Sequence, residues 1–195
     1  MIRLNCGCGA DLLENYVNID RHSREEIEKR YGWKLPKNID IQNLDIFNLP
    51  YGDGTVDEVL CLGFLEHLSF EEEGRFLKEV KRVLKKDGIF HFTVPDFDNL
   101  CRQWLEAKDD FKEFYQLRTD EHWFGQGNRN LKNKWGYLTA FIYGNQNGEG
   151  QFHRNAYTIK KILKIMKILG FSCTVSTFYF KNTEALMLEC KAYKK

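Results

Sequence analysis

Short apolar runs alternate with amphipathic segments through the first half of this chain of 195 residues. Five runs of strand length lie at residues 2–6, 16–20, 39–44, 55–62 and 89–94. Before the last of them, Phe76, Val80 and Val83 recur at the spacing of one helix face, after a capping box formed by Ser69 and Glu72. Such alternation is typical of an α/β fold with a mainly parallel sheet.

The later part of the chain continues this pattern. Gly88 is expected to end the helix that precedes the fifth strand. Residues 98–117 and 159–169 predict two more helices, and residues 171–180 and 185–193 predict a closing β-hairpin. We therefore expect a Rossmann-like, doubly wound, seven-stranded α/β sheet, mostly parallel, with an antiparallel strand from the C-terminal hairpin.

Length and composition set the wider expectations. The length fits one domain over residues 1–195, with an insertion at about 97–157. A formal net charge of +1 argues against nucleic acid as a partner, and no apolar run reaches the length of a membrane span. The six cysteines are expected as free thiols in the cytoplasm, and Cys6 and Cys8 are too poorly partnered for a zinc framework, so no metal site is predicted.

A glycine turn follows the first predicted strand at once, in the sequence Asn5-Cys6-Gly7-Cys8-Gly9. Glycine permits a tight turn and lets a ligand approach the main chain, although a purely structural turn would also explain it. Asp20 ends the second strand, where a carboxylate can accept the hydroxyl groups of an adenosine ribose. Together the turn and the acid indicate a cofactor that contains a nucleoside.

The dinucleotide fingerprint fits this turn poorly. That fingerprint needs a third glycine where Leu12 stands, and an acid about 20 residues further on. Asp20 follows Gly9 by only 11 residues. NAD is therefore the weaker alternative.

Several short segments in fixed order carry a family resemblance. They are LNCGCG at 4–9, VNID at 17–20, NLDI at 43–46, LP at 49–50, VDEV at 56–59, FLEH at 64–67 and LKKDG at 84–88. Together they resemble the class I S-adenosylmethionine-dependent methyltransferases, most closely a compact bacterial group of predicted methyltransferases. The later FHR at 152–154 also recurs in that group.

The resemblance implies S-adenosylmethionine as the cofactor. The positions that it assigns to cofactor binding are Asn5, Gly7, Gly9, Asp20, Asp45, Ile46, Leu62 and Gly63. Asp20 would bind the ribose, and Asp45 would face the adenine amino group with Ile46 against the ring. The family usually has an acid at the position of Asn5 and a third glycine at that of Asp11. A pocket shortened in this way is expected to be open, or to be closed by a partner chain in a homodimer.

Two candidate catalytic groups follow the fourth strand, and two further candidates lie late in the chain. Glu66 and His67 would lie near the methyl group, where a carboxylate can tune the neighbouring imidazole; packing at a helix start is the alternative. His153 and Arg154 could face the same cleft as base and anion binder, or form a solvated loop pair. His91, in mid-strand, is expected in the core.

The methyl acceptor is expected under a lid formed by the insertion. Residues 119–156 lack clear periodicity and are rich in aromatic residues, among them Trp123. Asp96, at the end of the fifth strand, could bind the acceptor or cap a helix. Aromatic and basic residues together suit a small molecule such as a sugar, an aromatic or a phosphorylated metabolite.

Three functions stay open at this point. The first is methyl transfer to a small molecule, such as O-methylation of a glycan or a secondary metabolite. The second is a protein that binds S-adenosylmethionine or S-adenosylhomocysteine without turnover. The third is an NAD-dependent oxidoreductase, against which the glycine spacing counts.

Overall fold

The structure is a computed structural model that describes residues 1–106, 134–144, 146, 148–180 and 186–195. Its strands are β1 Arg3–Cys6, β2 Val17–Ile19, β3 Ile41–Gln42, β4 Val56–Leu62, β5 Leu84–Pro95, β6 Phe171–Tyr179 and β7 Leu186–Lys194. Its α-helices are α1 Arg24–Tyr31, α2 Phe70–Val83, α3 Phe97–Leu105, α4 Lys134–Tyr143 and α5 Ile159–Leu169. A 3₁₀ turn, Leu65–His67, follows β4.

One sheet joins all of these strands in the order β3-β2-β1-β4-β5-β7-β6. Pairing is parallel from β3 through β5, and β7 is antiparallel to both of its neighbours. The predicted Rossmann-like sheet, with its antiparallel hairpin strand, is confirmed. The chain leaves β1 toward one side and returns to its other side at β4, so the topological switch point lies between these two strands.

Local sequence explains where the helices begin. Ser23 and Ser69 each accept a backbone N–H at the third helical position, and Glu26 and Glu72 complete the two capping boxes. Apolar residues on one face of α2 then pack into the core, which includes the fully buried Phe76. None of the helices within the described ranges is long and apolar enough to span a membrane.

The end of α2 differs from the expectation. The helix ends at Val83, and Leu84 is already extended because it pairs with Val56 of β4. Gly88 lies inside β5, next to Asp87 at φ 62°. A Cβ on Gly88 would lie 2.9 Å from Lys85 O, so the glycine makes room for this close main-chain approach within the strand and does not end the helix.

Two other expectations also need correction. Residues 134–143 form α4, which lies within the stretch that lacked periodicity. His91 is partly exposed, and its Nε2 lies 2.8 Å from Glu189 Oε1 on β7, so it is not a core residue. The predicted helix at 98–117 is observed as α3 up to Leu105, and its remainder from 107 lies outside the described residues.

Candidate active site

The carboxyl ends of β1, β2, β4 and β5 meet at one edge of the sheet. Gly7 N–H donates to Ile19 O at 2.9 Å, which joins the glycine turn to the end of β2. Gly63 N–H donates to Thr93 O at 3.0 Å, which joins the end of β4 to β5. Gly7 and Gly63 have φ of 68° and 61°, a region that favours glycine. This edge, at the switch point, is where a doubly wound sheet binds ligands.

Asp20 fixes the geometry of the glycine turn. One carboxylate oxygen accepts Gly9 N–H at 2.9 Å, and the other accepts His22 N–H at 2.9 Å. The carboxylate is 11% exposed. Because each carboxylate oxygen can accept more than one hydrogen bond, Asp20 keeps acceptor capacity for hydroxyl groups of a ligand.

The side chain of Asn5 is occupied within the protein. It is buried, and its Nδ2 donates to Asp11 O at 2.8 Å and to Asn18 Oδ1 at 2.9 Å. Asn18 in turn accepts Leu13 N–H at 2.9 Å. The amide at this position therefore holds the loop after the glycine turn against β2. A role for Asn5 beside the cofactor stays a prediction.

The two glycines of the turn have different surroundings. A Cβ on Gly7 would lie 2.1 Å from Cδ2 of Phe64, so this glycine makes room for the phenyl ring. A Cβ on Gly9 would meet nothing closer than Tyr31 Oη at 3.6 Å. Open space over the main chain at Gly9 is what a ligand that approaches the turn requires.

The loop after β3 lies beside Asp20. Asp20 N–H donates to Gln42 O at 3.2 Å, and Asn43 Nδ2 donates to Arg21 O at 2.9 Å. Asp45 is exposed and accepts Phe47 N–H at 2.9 Å. Ile46 packs partly against the core. The edge thus presents the carboxylates of Asp20 and Asp45 as acceptors and an open glycine at Gly9, a set of groups that fits a nucleoside cofactor.

Glu66, His67 and His153 form a cluster next to this edge. One potential metal-ligand atom from each lies within 4.8 Å of the others. The Glu66 carbonyl accepts Arg154 N–H at 2.7 Å, which brings the late segment onto the 3₁₀ turn. Gly63 borders the cluster, because a Cβ there would lie 3.6 Å from Glu66 Oε1. The predicted meeting of these three side chains is therefore observed.

Burial dominates the electrostatics of this cluster. Glu66 is 3% exposed, and burial raises the pKa of its carboxyl to about 8. Burial, helped by the nearby His67, lowers the pKa of His153 to about 4, and burial also lowers the pKa of His67. The expected tuning of the His67 imidazole by Glu66 is not seen, since the structure assigns that shift to burial. Both rings are neutral at pH 7.

The structure describes two of the three residues that were predicted to bind the acceptor. Asp96 caps α3 by accepting Asn99 N–H at 3.3 Å, which is the alternative role weighed for it. The guanidinium of Arg154 pairs with Glu72 at 2.7 Å near the surface. Trp123 lies outside the described residues. Acceptor binding by these three residues stays a prediction.

Sequence reasoning missed the groups that hold the cluster together. Tyr157 Oη lies 3.5 Å from the carbonyl of Leu65, in the 3₁₀ turn that carries Glu66 and His67, and it also donates to Glu73 on α2. The carbonyls of Phe152 and Phe141 each contact an imidazole of the cluster. The only sequence signal was the adjacency of Tyr157 to the FHR segment, because main-chain carbonyl contacts leave no trace in side-chain identity.

Comparison with known proteins finds a family match for part of the chain. Residues 4–92 match the model of the family described as "Methyltransferase domain". Two uncharacterized proteins of Methanocaldococcus jannaschii are each 32% identical to this chain, over 117 and 108 residues. These matches cover 58% and 54% of this chain. The chain spans only 48% and 39% of the length of those curated relatives.

Solved structures share the fold at low identity. A methyltransferase of Archaeoglobus fulgidus, described as S-adenosylmethionine dependent, has a TM-score of 0.60 at 13% identity, covering 98% of this chain and 85% of its own. A Burkholderia thailandensis 1,6-didemethyltoxoflavin N1-methyltransferase, solved with S-adenosylhomocysteine, has a TM-score of 0.59 at 14% identity, covering 100% and 71%. Residues 4–92 of this chain, from β1 into β5, thus match a methyltransferase domain, and the described fold is that of solved S-adenosylmethionine-dependent methyltransferases.

Proposed function

We propose that this protein transfers a methyl group from S-adenosylmethionine to an oxygen of a small molecule, such as a glycan or a secondary metabolite. The observation that carries the proposal is Gly63, which borders the cofactor edge on one side and the Glu66 carboxyl on the other. A methyl donor laid along that edge would face the three polar side chains of the cluster.

Different residues of the chain would bind different parts of the cofactor. Asp20 would hold the ribose, and Asp45 with Ile46 would hold the adenine. The main chain at Asn5, Gly7, Gly9, Leu62 and Gly63 would line the methionine part. When bound, S-adenosylmethionine supplies a methyl group on a sulfonium, so the protein mainly has to orient the acceptor and exclude water.

The acceptor side would be formed by Glu66, His67 and His153, whose neutral imidazoles and buried carboxyl carry lone pairs at pH 7. Asp96, Trp123 and Arg154 would contact the acceptor beyond them. All six cysteines are free, which supports a reducing compartment such as the cytoplasm.

Calorimetry and product detection test this function. The purified chain should bind S-adenosylhomocysteine but not NAD. It should then release S-adenosylhomocysteine from S-adenosylmethionine when a panel of hydroxylated sugars and phenols is offered. His153→Ala should lower turnover far more than cofactor affinity. Binding of NAD alone would contradict the proposal, and cofactor binding without turnover on any acceptor would favour a non-catalytic binding protein.

A further inference from the structure

Two imidazoles and one carboxyl converge from distant parts of the chain. Glu66 and His67 lie in the 3₁₀ turn after β4, and His153 lies in the segment between α4 and α5. One donor atom of each lies within 4.8 Å of the others, and the two rings meet edge to face with centroids 4.8 Å apart. Ligand atoms around a first-row metal ion are about 3–4 Å apart, given bond lengths of about 2.0–2.2 Å. Small side-chain rotations would therefore bring all three onto one ion.

Both imidazoles are oriented by main-chain carbonyls. Nδ1 of His67 lies 3.1 Å from Phe152 O, and Nδ1 of His153 lies 2.7 Å from Phe141 O. A carbonyl can only accept, so Nδ1 of each ring carries the proton and the lone pair is on Nε2. Histidines that bind metal ions show this arrangement, with the second ring nitrogen donating to a carbonyl or carboxylate.

The Glu66 side chain lacks the partner that its burial demands. Its residue is 3% exposed, and its Oε2 has no hydrogen-bond partner among the described residues. A buried carboxyl oxygen without a partner is costly. A cation in contact with Oε2 would satisfy this atom and favour the ionised form. The orphaned oxygen is thus independent evidence for a bound positive group.

We propose that Glu66, His67 and His153 bind one divalent metal ion of the zinc type, with open coordination positions directed toward an oxygen of the methyl acceptor. This inference rests on the proposed function, which supplies the methyl acceptor. It assigns the three residues as metal ligands, whereas the sequence indicated that they act on the acceptor directly. Two imidazole nitrogens and one carboxylate are a known catalytic zinc set and suit other first-row transition metals. Magnesium and calcium prefer all-oxygen sites.

The ion would activate the acceptor as a Lewis acid. A hydroxyl group on an open coordination position loses its proton to water more easily, because the metal ion lowers its pKa. Its oxygen then forms a bond to the methyl carbon while the carbon–sulfur bond breaks. The products are the methyl ether, S-adenosylhomocysteine and the released proton. No oxidation or reduction takes place, so a redox-inert ion is sufficient.

Direct metal titration tests the site without any methyl acceptor. The full chain, freed of metal with a chelator, should bind one equivalent of ZnCl₂ by calorimetry. His67→Ala and His153→Ala should each weaken this binding at least about tenfold. His91→Ala is the matched control, because His91 pairs with Glu189 outside the cluster, and its zinc affinity should equal that of the wild type. No zinc binding by the wild type, or equal affinity in all four proteins, would overturn the proposal.

A second readout needs no substitution. The chain contains five histidines, and ¹⁵N spectra of their side chains report which ring nitrogen is bound to metal. One equivalent of zinc should shift the Nε2 signals of His67 and His153 and leave that of His91 in place. A shift confined to other histidines would contradict the site even if an alanine variant failed to fold.

Cofactor binding separates this inference from the proposed function. S-adenosylhomocysteine affinity is measured in parallel on the wild type and on Glu66→Gln, whose shape matches glutamate. We expect Glu66→Gln to lose zinc affinity while it keeps the affinity for S-adenosylhomocysteine. Zinc binding by a chain that binds no S-adenosylhomocysteine would refute the methyl-transfer proposal and keep the metal site. The reverse result would refute the metal site alone.

Discussion

The carboxylate of Asp20 is placed to hold the glycine turn and the proposed ribose at the same time. Its two oxygens accept the main-chain N–H groups of Gly9 and His22, and the side chain remains partly accessible. Asp20→Asn keeps the shape but removes the charge and one acceptor. We expect it to weaken S-adenosylhomocysteine binding by about 1–3 kcal/mol, the usual value for a charge-assisted hydrogen bond, measured by calorimetry.

The control for this substitution is Asp87→Asn. Asp87 is exposed, with φ of 62°, a conformation that asparagine also adopts, and it lies near the opposite end of β5. Its affinity for S-adenosylhomocysteine should match that of the wild type. Equal affinities for all three proteins would remove Asp20 from the ribose site.

Gly7 offers a test of packing at single-residue resolution. Alanine at Gly7 or at Gly32 must adopt a positive φ, at a cost of about 1 kcal/mol. A Cβ at Gly32 would meet nothing within 4 Å, whereas one at Gly7 would collide with the Phe64 ring. In urea unfolding, Gly7→Ala should therefore cost about 1–3 kcal/mol more than Gly32→Ala.

Removal of the ring should relieve that extra cost. In the background of Phe64→Ala, Gly7→Ala should destabilise by about as much as Gly32→Ala does. A double-mutant cycle measures this coupling, and additive free energies would show that the Phe64 contact is not the cause.

At the scale of single residues, local sequence patterns predict some positions of the site, whereas contacts between distant parts of the chain could not be predicted. The position of Asp20 could be predicted because it directly follows a strand whose apolar residues mark its end, whereas Gly63 was indicated only by the family resemblance. The carbonyl of Phe152 could not be predicted as the partner of His67, since the two residues are 85 positions apart and the contact uses main chain. The unpartnered Oε2 of Glu66 likewise depends on burial in three dimensions.

Among the elements, α2 is tied to the turn before β4 through an ion pair. Glu79 accepts Leu49 N–H at 2.7 Å and pairs with Arg82 at 2.6 Å, and Arg82 also donates to the carbonyls of Leu49 and Tyr51. The hydrogen bond from Arg82 is the main cause that lowers the pKa of Glu79 below its ordinary value of 4.5. The ionised carboxylate thus contributes stability that is fully present above pH 4.5 and is lost as the pH falls through the lower, folded-state pKa.

Glu79→Gln isolates this contribution. At pH 7 it should lower the free energy of unfolding by about 1–3 kcal/mol, because charge-assisted bonds to Arg82 are lost. The deficit relative to the wild type should shrink as the pH falls below about 4.5, where Glu79 itself becomes protonated. Asp40→Asn, at an exposed position outside the helices, should show neither effect. Urea titrations at several pH values measure the difference, and a deficit that stays constant with pH would contradict the assignment.

Boundaries of elements were the harder part of the sequence to interpret. α5 was predicted with its true bounds, because Thr158 caps it and Gly170 adopts φ of 82° after its last residue. For α2, Gly88 seemed the natural end, yet pairing of Leu84 with Val56 ends the helix earlier. Sheet pairing is a tertiary interaction, and here it overrides a local signal.

For the molecule as a whole, cofactor binding should appear as added stability. A ligand that binds only the folded state at 100 times its dissociation constant adds about 2.7 kcal/mol. For a chain of this length that corresponds to a rise in Tm of about 5–10 °C. We expect this rise with S-adenosylhomocysteine in a thermal unfolding experiment and none with NAD at the same concentration. A rise with NAD alone would assign the edge to a dinucleotide.

The strand order has a consequence for synthesis on the ribosome. β7 is made after β6 but lies between β5 and β6, so β6 has no place in the sheet until β7 has emerged. During that interval the outer edge of β5 lacks the strand that covers it, and an open strand edge is a template for pairing with other chains. The nascent protein thus keeps an open strand edge from the synthesis of β5 until β7 has emerged, and a chaperone would protect it most during that time.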